Sequence, residues 1–103
     1  MKISNEGVTA GVTIAGSTGD PGPWSYQFNN PTAIMFDIYG FMYVLDSSNN
    51  RVQKWWPGGS FGTTVLLATL SGPIGMTMDR AGSLYVADTG YQRILMFSVW
   101  CRK

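Results

Sequence analysis

The chain has 103 residues, 45% hydrophobic, 14% aromatic and only 13% charged, with 13 glycines and 5 prolines to make turns, which is the make-up of a folded β-rich chain and excludes disorder. Seven basic residues face six acidic ones for a net charge of +1, and neither sign clusters except in the pair Arg102 and Lys103, so a basic stripe for tracking phosphates is absent and nucleic-acid binding is not expected. The amino-terminal stretch is too polar and glycine-rich for a signal-peptide core, and no apolar run approaches the roughly 18 residues of a membrane-spanning helix.

In chain order, residues 6–14 (EGVTAGVTI) match residues 57–65 (PGGSFGTTV) through the pairs Gly7/Gly58, Gly11/Gly62 and Thr13/Thr64, so the sequence opens near the end of an earlier repeat. Residues 11–15 are then an orphan outer strand. A long link follows, residues 16–30 (GSTGDPGPWSYQFNN). TAIMFD is a short apolar strand ending on Asp37, and Asp37 with Gly40 has the spacing of a type I turn in which glycine relieves a left-handed position. FMYVLD is the return strand, rich in aromatic and β-branched residues. SSNN is a polar turn. A third strand runs over residues 51–56 and a fourth, GTTVLLA, over residues 62–68. After the short link TLSG the pattern restarts: IGMTMD, a turn at Asp79 and Gly82, SLYVAD, the turn TGYQ, and a strand from Arg93 to about Val99. No segment sustains a 3.6-residue apolar period, so no helix is expected.

The two halves are copies. Pro31, Asp37, Gly40, Tyr43, Val44, Asp46 and Arg51 recur as Pro73, Asp79, Gly82, Tyr85, Val86, Asp88 and Arg93, and most other pairs exchange one apolar residue for another, as in Ile34/Met76 and Val52/Ile94. Four short antiparallel strands in a repeat of about 40 to 50 residues are the pattern of a β-propeller blade, whose apolar faces are buried only by neighbouring blades. The expected fold is all-β: residues 1–16 end a preceding repeat, residues 17–68 form blade one with its long leading loop, and residues 69–103 form blade two without its outer strand.

The motifs P-x-x-[IM]-x-[FM]-D, G-x-[ML]-Y-V-x-D and a following x4-R-[VI], present in both copies, resemble the NHL repeat family, and with the leading remnant the resemblance covers nearly the whole chain. It implies blades of a propeller, commonly six-bladed, and a binding role rather than catalysis. Members include ligand-binding heads of larger proteins, RNA-binding ends of tripartite-motif proteins, sensor domains of receptor kinases and a metal-dependent amidating lyase. The second copy departs from the pattern in its short link and where Tyr91 and Gln92 replace the Asn49 and Asn50 pair.

The sequence contains no histidine, which removes the usual general base and the commonest metal ligand. No catalytic residue, metal ligand or cofactor is expected, and the lyase relatives need histidines that nothing here supplies. Cys101 has no histidine partner to activate it and reads as an incidental thiol. Asp37, Asp46, Asp79 and Asp88 are expected to satisfy turn backbone or to pair with Arg51 and Arg93. Because the first two strands are antiparallel, the long link, SSNN and TGYQ share one end of the strands. That end offers Trp24, Tyr26, Asn49, Asn50 and Tyr91, aromatic planes with amides, as the candidate partner-binding face.

The favoured reading is a non-catalytic module that binds a protein or peptide partner. An RNA-binding propeller fragment, with aromatics stacking bases, and a fragment of a metal-dependent lyase or lactonase-like propeller are the alternatives. Two blades cannot close a ring, since propellers have about four to eight. The chain is therefore expected either to continue into further blades or to assemble with copies of itself, with Ile34, Phe36, Tyr43, Met76, Met78 and Tyr85 exposed on inter-blade faces of the isolated chain.

Overall fold

A computed structural model describes residues 11–99. Seven strands form two antiparallel sheets: β1 (Pro31–Phe36), β2 (Met42–Asp46), β3 (Arg51–Trp55) and β4 (Gly62–Leu67) in sequential order, then β5 (Gly75–Met78), β6 (Ser83–Asp88) and β7 (Arg93–Ser98). There is no α-helix among the described residues. Residues 11–15 join neither sheet, and the part of the orphan strand's match that lies in residues 6–10, together with Cys101, lies outside the described residues.

The repeat recurs in the backbone itself. At the first hairpin of each sheet the turn closes through Gly40 N–H to Asp37 O (3.1 Å) and Gly82 N–H to Asp79 O (3.2 Å), with both glycines at positive φ (91° and 85°) where a Cβ would be strained. Each turn aspartate accepts two further backbone N–H groups, from Tyr39 and Phe41 in one sheet and from Ala81 and Ser83 in the other. Its second oxygen accepts the hydroxyl of Tyr43 or Tyr85, at 2.9 and 2.8 Å. These bonds, led by the Ser83 N–H and then the Tyr85 hydroxyl, hold the Asp79 carboxyl below its ordinary value, and the same contact with Asp79 raises the Tyr85 phenol.

The polar turns SSNN and TGYQ are single 3-10 turns, Ser47–Asn49 and Thr89–Tyr91. Each is closed by a left-handed residue with nearly identical angles, Asn50 at φ 54° and ψ 46°, Gln92 at φ 55° and ψ 46°. Ahead of each first strand, Asn30 and Gly72 are also left-handed, and the preceding residue is caught twice. Asn29 and Ser71 donate N–H to Asp46 and Asp88, while their carbonyls accept from Ser48 and Gly90. Two segments of different sequence therefore fold to the same trace.

Alternation along the strands gives each sheet two faces. Tyr43, Leu45 and Val52 lie on one face of the first sheet and pack against Leu84 and Val86 of the second in one buried cluster, joined by Leu70 from the link and flanked by Met35, Met76 and Met78. Thr32 donates its hydroxyl across this seam to Pro73 O at 2.9 Å. The opposite face of the first sheet buries Met42, Val44 and Trp55 against Phe28 and Ala15 of the leading segment.

This arrangement corrects the expectation that Tyr43, Met76 and Met78 are exposed. Tyr43 is fully buried and the two methionines are half-buried, because they lie in the seam that the two sheets make with each other. Ile34 and Phe36, on the outer flank of the first sheet, are exposed, and Tyr85, on the outer flank of the second, is half-buried.

Candidate functional site

The recurring carboxylates and arginines build the loop end of both sheets. Asp46 is fully buried at the end of β2, and Arg51 opens β3, so their register pairing in the hairpin places the guanidinium beside the carboxylate, Nε donating to Oδ2 at 2.8 Å. The rest of the guanidinium reaches into the long link: Nη1 donates to Pro23 O at 2.8 Å, and Nη2 to Trp24 O at 3.0 Å and Gln27 O at 2.9 Å. One cation thus folds a 15-residue, glycine- and proline-rich segment over the end of the sheet. Gln27, itself buried, donates to Asp20 and accepts from the Trp24 N–H, while Ser25 O accepts the Gly62 N–H at 2.7 Å.

The second sheet repeats the pair with a shorter link. Arg93 Nε donates to buried Asp88 at 2.7 Å, and Nη2 donates to Thr69 O at 2.9 Å, the counterpart of Gln27 O. With no nine-residue insertion to wrap it, the Arg93 side chain is 44% exposed against 10% for Arg51. Burial works against ionised Asp88, but the Ser71 N–H and the Arg93 guanidinium outweigh it and hold its carboxyl below the ordinary value.

On this scaffold the five residues singled out from the sequence divide into two kinds. Trp24 (64% exposed) and Tyr26 project from the pinned link, and Tyr91 is exposed on the second 3-10 turn with the Arg93 guanidinium 5.0 Å from its ring centre. Asn49 and Asn50 instead have amide groups committed inward. Asn49 Nδ2 donates to Gly22 O and to Asp46 Oδ2, and Asn50 Oδ1 accepts the Leu70 N–H. Trp24, through its carbonyl, and Asn49, through its amide on Asp46, meet at the Arg51–Asp46 pair, whereas no hydrogen bond or ring contact among the described residues ties Tyr26, Asn50 or Tyr91 to that pair. The organising role of Arg51 toward the link was not read from the sequence; the signal was the insertion itself, which needs its carbonyls satisfied.

Among the described residues no group of three or more His, Cys, Asp or Glu is placed to hold a metal, and no helix is long and apolar enough to cross a membrane.

Two sheets of equivalent strands, stacked through an apolar seam with their loops at a common end, are blades of a β-propeller. No protein-family profile matches the chain. It is 33% identical over 98 aligned residues, taking in 84% of the chain, to NHL repeat-containing protein 3 of mouse (Mus musculus), and equally to the human protein (Homo sapiens) of the same name. The chain belongs to the NHL-repeat family. It spans 28% of the length of these two relatives.

Proposed function

We propose that the chain is part of a non-catalytic binding module that takes a protein or peptide partner on the loop end of its blades. The observation that carries this reading is the pairing of exposure with rigidity in the long link: Trp24 and Tyr26 face solvent, while the backbone that bears them is held by Arg51 through the carbonyls of Pro23, Trp24 and Gln27. Large aromatic side chains fixed before binding lose little freedom when a partner arrives, which favours them as anchors. Tyr91 extends the surface onto blade two. Asn49 and Asn50 serve it by positioning, since their amides brace the link and the following strand. Membership of a repeat family and the absence of histidine from the sequence support binding over catalysis.

Selection of peptides from a random displayed library against the purified protein tests the assignment. Peptides so obtained should lose binding to the Trp24→Ala, Tyr26→Ala double variant while its circular dichroism and melting temperature stay as in the parent. Equal binding to parent and double variant would remove these residues from the site.

A further inference from the structure

The two arginines of the repeat are placed alike and satisfied differently. Arg51 donates four hydrogen bonds, one to Asp46 and three to carbonyls of the link ahead of its blade, those of Pro23, Trp24 and Gln27. Arg93 donates two, to Asp88 and to Thr69 O. Its Nη1 makes no hydrogen bond among the described residues, and its side chain is 44% exposed. A guanidinium holds its N–H groups in a fixed planar fork, so Arg93 keeps Nη1 and one N–H of Nη2 for acceptors that arrive from outside.

This difference arises inside the chain. What covers Arg51 is the link before its own blade, and none of its acceptors lies on blade two. The corresponding link of Arg93, residues 68–73, lies wholly within the described residues and supplies one carbonyl where the longer link supplies three. With Thr69 O in the place of Gln27 O, the places of Pro23 O and Trp24 O are open on blade two.

The neighbouring side chain changes in step. Asn49 spends its amide on Gly22 O and Asp46, whereas its counterpart Tyr91 offers an exposed ring with the Arg93 guanidinium 5.0 Å from its centre. An aromatic plane beside unused donors to carbonyls suits a proline ring, which packs on aromatic faces and has no N–H of its own to satisfy. Charge selects the acceptor. Asp88, fully buried 2.7 Å from Nε, already balances the guanidinium, so the matching acceptors are neutral carbonyls, as on blade one, and not a second carboxylate. On blade one Pro23 and Trp24 lead into a bend closed by the Gln27 N–H on Trp24 O at 3.0 Å.

We propose that Arg93 and Tyr91 receive a neutral, proline-containing turn of the partner peptide, whose two successive backbone carbonyls take the places that Pro23 O and Trp24 O occupy on Arg51. This rests on the reading that the loop end binds a peptide, and it names the part of that peptide which blade two takes.

The test is a displayed-peptide selection on the parent protein with counter-selection on Arg93→Lys, which keeps a cation for Asp88 and loses the planar fork. Surviving peptides should contain a proline and should bind the parent about tenfold or more tighter than Arg93→Lys, the effect of one hydrogen bond to a charged group. They should keep their affinity when each Asp or Glu in them is replaced by Asn or Gln. Tyr91→Ala, at an exposed position, should weaken the same peptides, and it takes over the counter-selection if Arg93→Lys loses the β-sheet circular dichroism of the parent. A selection without survivors, survivors without proline, or survivors that depend on a carboxylate would each overturn the proposal. Peptides that fail on the Trp24→Ala, Tyr26→Ala variant yet bind Arg93→Lys as well as the parent would also overturn it, leaving the loop-end reading intact. Peptides that need Arg93 but neither aromatic of the link would uphold it and remove Trp24 and Tyr26 from the site.

Discussion

Replacing Arg51 with Met removes the cation that ties the long link to blade one and should cost far more than the same change at Arg93. Asp46 is fully buried, and without the guanidinium it keeps, among the described residues, only the Asn29 N–H and the Asn49 amide as partners. Breaking a buried ion pair by removing one member costs about 3–5 kcal/mol. The three carbonyls released at Pro23, Trp24 and Gln27 add less than their bond count suggests, because a loosened link can turn them to water. A loss of about 4 kcal/mol is a large part of the ~5–15 kcal/mol that holds a domain folded. In urea it moves the unfolding midpoint by about 2–3 M, given a slope of ~1.5 kcal/mol per molar. Tryptophan fluorescence measures it, with Trp24 placed on the link itself. Arg93→Met should shift the midpoint much less, because that side chain is already 44% exposed and holds one link carbonyl instead of three. Equal shifts for the two variants, or none for Arg51→Met, would refute the claim that the insertion is folded around its arginine.

The seam gives a second expectation: Leu84→Ala empties a fully buried position between the blades and should cost about 2–5 kcal/mol in the same urea experiment. Tyr43→Phe removes the buried hydroxyl that Asp37 accepts and should cost about 1.5–3 kcal/mol without changing the circular dichroism. Acid should destabilise the fold in a defined direction. The Asp79 and Asp88 carboxyls are held below the ordinary value of 3.8, so as pH falls the unfolded chain takes up protons first. Their contribution is complete above about pH 5 and is lost as pH falls through 3.8 toward the depressed values. Melting temperatures between pH 6 and pH 2 should record that decline, and Asp79→Asn should make it shallower.

Much of the fold was legible because its punctuation is chemical. Asp37 with Gly40, and Asp79 with Gly82, announce turns whose geometry needs an acceptor and a left-handed glycine, and the strands between them alternate or run apolar as half-buried strands do. Strand ends differ by a residue or two, as at Gly75, where ladder pairing begins later than the apolar run. What could not be read is which face of one blade meets which face of the next. A period of two separates the faces of a strand without ordering them around an axis, so the pattern alone does not show that Tyr43, Met76 and Met78 meet inside the chain. Asn49 and Asn50 carry amides that satisfy their own link and strand, and composition does not distinguish such an amide from one offered to a partner.

The stacking of the two repeats is open to one direct measurement. Nuclear Overhauser spectra of the methyl groups should connect Leu45 and Val52 with Leu84 and Val86. Ile34 should give no contact to blade two. Silence between those methyl pairs, or cross-peaks from Ile34 to Leu84, would mean that the repeats do not stack as successive blades.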